Sequence, residues 1–251
     1  MKIKFHYTYI LIAFGFIITG YFSNLLIFTS IIIIHELGHY LIAKLNKLEP
    51  VLITIYPFGG VTKINNLINT KTEKELMVAL AGVSFQAIYY LLIIVLHHNY
   101  IIRDYLFNAF KEYHYHILIF NLLPIYPLDG SKIINLIMNK FIPYKLTHKI
   151  TILISIITLI ILIITNYYQF NYTTILIVSI IIDNLTKYYK NINYLFNKFL
   201  LERYLYKFNL HKPKTITKIT DMYKEKYHII KEKNTYLTEK QLLKRRFKGK
   251  Y

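Results

Sequence analysis

The chain has 251 residues, 55% of them hydrophobic, and carries a formal net charge of +18. That apolar share exceeds the roughly 45–50% usual for soluble domains, and with a mean hydropathy of +0.35 it excludes a single water-soluble core. The absence of cysteine excludes disulfides and thiolate metal sites. The charge does not mark a nucleic-acid reader: 16 of the 31 Lys and Arg follow residue 190, and no aromatic-basic recognition motif is present.

Six apolar stretches, near residues 6–22, 24–45, 76–97, 113–135, 148–166 and 172–189, approach the roughly 20 residues a spanning helix needs. The predicted fold is therefore an all-α polytopic membrane protein. The first stretch starts with Lys2 and Lys4 but lacks a small-x-small cleavage site, so it reads as a span and not a signal peptide. Basic and uncharged gaps alternate. Lys44, Lys47, Lys63, Lys71 and Lys74 cluster after the second stretch, and Lys132, Lys140, Lys145 and Lys149 lie at the end of the fourth and beyond it. The other gaps hold no charge or the offsetting pair Arg103 and Asp104. Positive-inside orientation then makes both termini cytoplasmic. With tryptophan absent, interfacial belts fall to Tyr and Phe.

Between the second and third spans, "EPVLITIYPFGGVTKIN" is too short to cross and is broken by Pro50, Pro57, Gly59 and Gly60. Its weak alternation predicts a short strand-like loop at or in the membrane, which needs a protein cavity beside it. Residues 1–190 form the expected membrane domain, and 191–251 a small basic cytosolic segment. That segment opens on an amphipathic helix and continues with a strand followed by a helix.

The ionisable side chains of "IIIIHELGHY" sit directly after an isoleucine run. A charge at the bilayer centre costs at least about 2.5–3.5 kcal/mol, so it is seldom kept without a partner or a function. Residues four apart share a helix face, so His35 and His39 can hold one metal ion, with Glu36 placed to take a proton from attacking water. Zinc suits imidazole ligands and an open catalytic position. Gly38 is expected to clear space for substrate backbone. The third ligand is sought among acidic residues inside the spans, which leaves Asp129, in "NLLPIYPLDG". Pro124 and Pro127 interrupt that span and open it. Counted along continuous helices from Asn24 and Tyr113, His39 and Asp129 lie about fifteen and sixteen residues in, at matching depth.

These paired motifs resemble the site-2 protease family of intramembrane zinc metalloproteases. The "FNLLPIYPLDG" wording, the "YPFGG" loop and the six-span layout resemble more narrowly its branch acting in endospore formation, over roughly residues 5 to 190. The resemblance implies one zinc ion per chain on His35, His39 and Asp129, with Glu36 as general base. It implies substrate-positioning roles for Asn121 and Pro127, and a bulky gate at Phe58. It also implies a membrane-associated protein substrate, a sporulation sigma-factor precursor of the sigma-K type, inhibitory membrane partners, and the outer forespore membrane as location. Three places depart from the family pattern. The tail is short for a nucleotide-sensing CBS module, Ser131 replaces a glycine, and "AGVSFQ" only loosely matches the small-residue motif of the third span.

Blander roles fit the remaining polar residues. His97, His98, His114 and His116 lie at span ends and read as interfacial packing, and Asp183 is spaced to pair with Lys187. A metal-ion transporter is the rival of another class. It predicts ligands at several depths, where the sequence offers one cluster at one depth. A site-2-type protease acting on a different membrane-bound regulator is the alternative within the enzyme class.

Overall fold

A computed structural model describes residues 2–56, 59–65, 68–165, 172–208, 210, 213–232 and 235–248. The chain is mostly helical and divides into two compact units, one formed by residues 1–66 and 74–122, the other by 67–73 and 123–251.

In the first unit the order is β1 (Ile3–Phe5), α1 (Tyr7–Ile18), α2 (Phe22–Leu45), β2 (Pro50–Tyr56), β3 (Gly59–Ile64), α3 (Thr72–His98) and α4 (Asp104–Leu122). The stretch predicted over 6–22 yields only the 12 residues of α1. These rise about 18 Å, against about 30 Å of hydrocarbon. The cause is Gly20, whose φ of +78° lets Tyr21 N–H reach Phe16 O at 2.9 Å and Gly20 N–H reach Ile17 O at 3.2 Å. That left-handed cap turns the chain directly into α2. Within α2, the Thr29 and Ser30 hydroxyls donate back to Leu25 O (2.6 Å) and Ile27 O (2.8 Å), so neither needs water.

The strand-like alternation of "VLITIY" forms a true strand. β2 pairs in parallel with β1 and antiparallel with β3, giving the order β1-β2-β3 with β3 at an edge. Its period of two turns Ile53 and Ile55 inward, where they join Ile31 and Ile32 of α2 and Phe110 and Ile117 of α4 in one core. The sheet packs on α2, and α4 packs on α2 as well.

The second unit contains α5 (Asp129–Asn139), α6 (Tyr144–Thr165), α7 (Tyr172–Leu205), β4 (Pro213–Ile216), a 3-10 turn (Ile219–Asp221), β5 (Tyr227–Glu232), β6 (Thr235–Thr238) and α8 (Glu239–Lys248). The helix predicted over 113–135 is thus two helices, α4 and α5, parted by a non-helical stretch over 123–128. Pro124 and Pro127 account for the break, and Ser155 of α6 serves its backbone. Ser155 Oγ accepts Tyr126 N–H at 3.1 Å and lies 3.1 Å from Pro124 O. A uniform rise of 1.5 Å per residue does not hold across those six residues, so the depth expected for Asp129 from a continuous helix does not apply. Asn135 anchors α5 by donating to Thr151 Oγ1 of α6 at 2.8 Å.

The amphipathic stretch after residue 190 is continuous with the preceding span in α7, a helix of 34 residues. β4, β5 and β6 form a second sheet, β5 pairing in parallel with β4 and antiparallel with β6. Its buried face, Ile216 and Ile230, packs with Phe199, Leu200, Met222 and Leu243. The all-α expectation is corrected accordingly: among the described residues two three-stranded sheets accompany the helices.

Among the described residues, three helices are long and apolar enough to cross a membrane: α2, α3 and α6. Large apolar side chains such as Leu91, Leu92, Leu153 and Ile160 lie exposed on them, a surface suited to lipid and costly in water.

Candidate metal centre

α2 carries His35, Glu36 and His39, all buried. One potential ligand atom from each lies within 4.8 Å of the others, and among the described residues this is the group of three or more such side chains that can hold a metal ion. The i, i+4 spacing brings His35 Nε2 and His39 Nε2 to 3.2 Å. Two nitrogens held about 2.0–2.1 Å from a tetrahedral zinc ion are themselves about 3.3 Å apart, so the pair has the separation that zinc requires. His39 is also in the correct tautomer. Its Nδ1 lies 2.7 Å from Val78 O on α3, and a carbonyl can only accept, so Nδ1 carries the proton and Nε2 its lone pair. The donor set fits zinc.

Neighbouring elements press close around these side chains. A Cβ at Gly82 of α3 would stand 2.5 Å from His35 Nε2 and 2.6 Å from His39 Cε1, and against His39 Nε2. A Cβ at Gly60 of β3 would collide with the Glu36 carboxylate. Thr62, also on β3, donates its hydroxyl to Glu36 Oε2 at 2.6 Å. Gln86 of α3 is fully buried, with Oε1 3.0 Å from His35 Nδ1.

Gly82, Gly60, Thr62 and Gln86 were not singled out as site residues from the sequence. The available signal was an amide inside the apolar run of the third span. Gly38 is a correction: its missing side chain faces Ala81 O and Phe85 Cβ of α3, so it permits helix packing and does not open space beside His35 and His39. His114 is corrected too. It lies buried in the middle of α4 and not at a helix end, stacked on Tyr90 with ring centroids 4.2 Å apart. Asp183 pairs with Lys187 at 2.6 Å, as its spacing predicts.

The other expected site residues are distributed over the chain. Asn121 is half-buried at the end of α4 in the first unit. Pro127 belongs to the helix break and Asp129 is the buried first residue of α5, both in the second unit. Asp129 Oδ1 accepts from Lys132 Nζ at 2.9 Å. Phe58 lies outside the described residues.

The fold has a counterpart among solved structures. It aligns with the site-2 protease from Methanocaldococcus jannaschii at a TM-score of 0.59 and 23% identity, covering 74% of this chain and 91% of the other. Residues 23–115, which include nearly all of α2, β2, β3, α3 and most of α4, match the model of peptidase family M50. The chain is 31% identical over 157 residues to stage IV sporulation protein FB of Bacillus subtilis, covering 62% of this chain and 54% of that protein. To a zinc metalloprotease of Methanocaldococcus jannaschii it is 30% identical over 161 residues, 60% of this chain and 46% of the other. The chain thus spans about half the length of the curated relatives it matches. Three helices among the described residues that are long and apolar enough to cross a membrane, together with these likenesses, imply a membrane protein.

Proposed function

We propose that the chain is an intramembrane zinc metalloendopeptidase of the site-2 type, a hydrolase cutting a peptide bond of a membrane-associated substrate. The observation that carries this reading is the buried His35–Glu36–His39 group on an apolar helix, at a nitrogen spacing suited to zinc. When bound, zinc supplies Lewis acidity, polarising the scissile carbonyl and making water acidic enough to lose a proton near neutral pH. Glu36, oriented by Thr62, takes that proton and delivers it to the leaving amine. The proposed ion is one per chain, with Asp129 as third ligand. That assignment rests on the pairing of "HELGH" with "NLLPIYPLDG" in one sequence. On the same basis Asn121 hydrogen-bonds substrate backbone or the developing oxyanion, Pro127 shapes the substrate path and Phe58 gates it.

The proposed organisation is a protease domain over residues 1–190 crossing the bilayer six times, with both termini and the basic 191–251 segment cytoplasmic. The proposed substrate is the precursor of a sporulation sigma factor, supported by the likeness to stage IV sporulation protein FB. Inhibitory membrane partners and the outer forespore membrane facing the mother cell belong to the same proposal. A metal transporter is disfavoured because the described residues hold one ligand cluster and not a path of them.

The test is co-expression with a sigma-K-type precursor, beside Glu36→Gln and Asp129→Ala. Wild type is expected to shorten the precursor and both variants to leave it intact. Zinc should stay in purified Glu36→Gln and be lost from Asp129→Ala. Cleavage by Glu36→Gln would end the protease mechanism, and full zinc in Asp129→Ala would remove that ligand. Failure of wild type to cut, with zinc bound, would discard this substrate alone.

A further inference from the structure

Gln86 sits fully buried in a span otherwise suited to lipid, where an amide without partners is costly. We propose that Gln86 is a positioning residue for the metal: it fixes the tautomer of His35 and so keeps Nε2 available as a ligand. This inference rests on the zinc reading above. It starts from α4. The Gln86 side-chain nitrogen lies 3.0 Å from His114 O. A backbone carbonyl can only accept, so the NH2 end of the amide faces α4 and the oxygen end faces α2. His114 Nδ1, 3.4 Å from the same nitrogen, is a second potential acceptor on that side. Gln86 Oε1 therefore meets His35 Nδ1 at 3.0 Å as an acceptor, and Nδ1 must carry the proton. The lone pair is left on Nε2.

That matters because of what His35 would otherwise do. His35 Nε2 and His39 Nε2 are 3.2 Å apart, within hydrogen-bond reach. If His35 took the other tautomer, its Nε2–H would donate to His39 Nε2, whose lone pair is fixed there by Val78 O. That internal hydrogen bond satisfies both imidazoles and competes with a metal ion for the same two nitrogens. With Gln86 in place that internal hydrogen bond is not available, and both Nε2 lone pairs are kept as potential metal ligands. One glutamine thus converts the orientation of an α4 carbonyl into the ligand state of an α2 histidine. Outer-shell partners of this kind are worth about 10- to 100-fold in metal affinity.

The experiment measures zinc affinity of the full chain in detergent, by competition with a chromophoric chelator, for wild type, Gln86→Met and Gln86→Glu. Methionine keeps the volume but offers His35 no comparable acceptor. Glutamate keeps an acceptor for Nδ1–H but loses the donor to His114 O. The expected result is affinity about 10- to 100-fold weaker in Gln86→Met and undiminished in Gln86→Glu. A packing role would weaken both, and equal loss in the two variants, or none in Gln86→Met, overturns the proposal. Nitrogen-15 spectra of zinc-free wild type supply a test that needs no variant to fold: protonated Nδ1 and bare Nε2 on His35 are expected, and protonated Nε2 overturns it. Zinc failing to bind wild type at all would instead remove the metal reading, a distinguishable outcome.

Discussion

Replacing Gly82 with alanine adds one methyl group, yet it is expected to disable metal binding. The new Cβ would lie 2.5 Å from His35 Nε2 and 2.6 Å from His39 Cε1, where ordinary contact begins at 3.4 Å. Each ring must therefore retreat by roughly 0.8–0.9 Å, whereas metal–ligand distances tolerate only about 0.2 Å. Neither ring has room behind it, since His35 already lies 3.0 Å from Gln86 Oε1 and His39 lies 2.7 Å from Val78 O. Losing an outer partner alone costs about 10- to 100-fold in affinity, so displacing the two proposed ligands together should weaken zinc binding by at least about 100-fold. Helix propensity works the other way: alanine favours α3 by about 1 kcal/mol over glycine, so a loss of zinc cannot be ascribed to a weakened helix. The assay is chelator competition on purified Gly82→Ala, with Gly15→Ala as control, a position whose Cβ would meet nothing within 4 Å. Zinc affinity in Gly82→Ala equal to wild type would refute the argument that α3 closes directly on the imidazole tips.

Thr62→Val removes the 2.6 Å hydrogen bond to Glu36 Oε2. A hydrogen bond to a charged group is worth about 1.5–3 kcal/mol, so kcat should fall about 10- to 150-fold with KM little changed, and Thr62→Ser should restore it. Failure of serine to rescue would show that the methyl group, not the hydroxyl, matters. In the second unit, His228 Nε2 accepts Tyr223 N–H at 3.0 Å while Nδ1 donates to Glu239 Oε2 at 3.0 Å, an arrangement for neutral histidine. Burial holds His228 below its ordinary value, outweighing the opposing pull of Glu239. Burial pushes Glu239 up, but its bonds to His228 and Arg203 together leave it below the usual range. Both groups then bind fewer protons folded than unfolded, so stability of the 213–248 segment should fall below about pH 6.5 and further below about pH 4.5. Limited proteolysis of that segment should be faster at pH 5.5 than at pH 7.5, and His228→Gln should narrow the difference. An unchanged pH response in that variant would rule His228 out as its source.

What could be read from the chain follows from which interactions are local. The His35–His39 pair is legible because helical periodicity alone puts residues four apart on one face, and it does so whatever packs against them. The break before Asp129 is legible for a similar reason, since proline forbids helix without help from neighbours. β2 showed its period of two, yet the parallel β1–β2 pairing that builds its sheet joins residues about fifty positions apart, and no local pattern encodes it. The second sheet was obscured in the same way, with β4 and β5 paired across an intervening turn. Glycine was the least legible residue. A missing side chain states that something is close without stating what, so Gly38 was assigned to the metal face when its neighbour is the α3 backbone. Gly82, whose missing side chain faces the imidazoles, lies in the "AGVSFQ" segment of a different span, where the sequence shows a small residue but not what it faces. Gln86 carried a readable clue, because an amide in an apolar span needs partners. Its partners, His35 and His114, come from two other helices, and only their packing reveals that one amide can be oriented by the second to set the proton on the first. The proposed ligands are thus written in local sequence, while the tautomers that suit them to a metal are written in tertiary contacts.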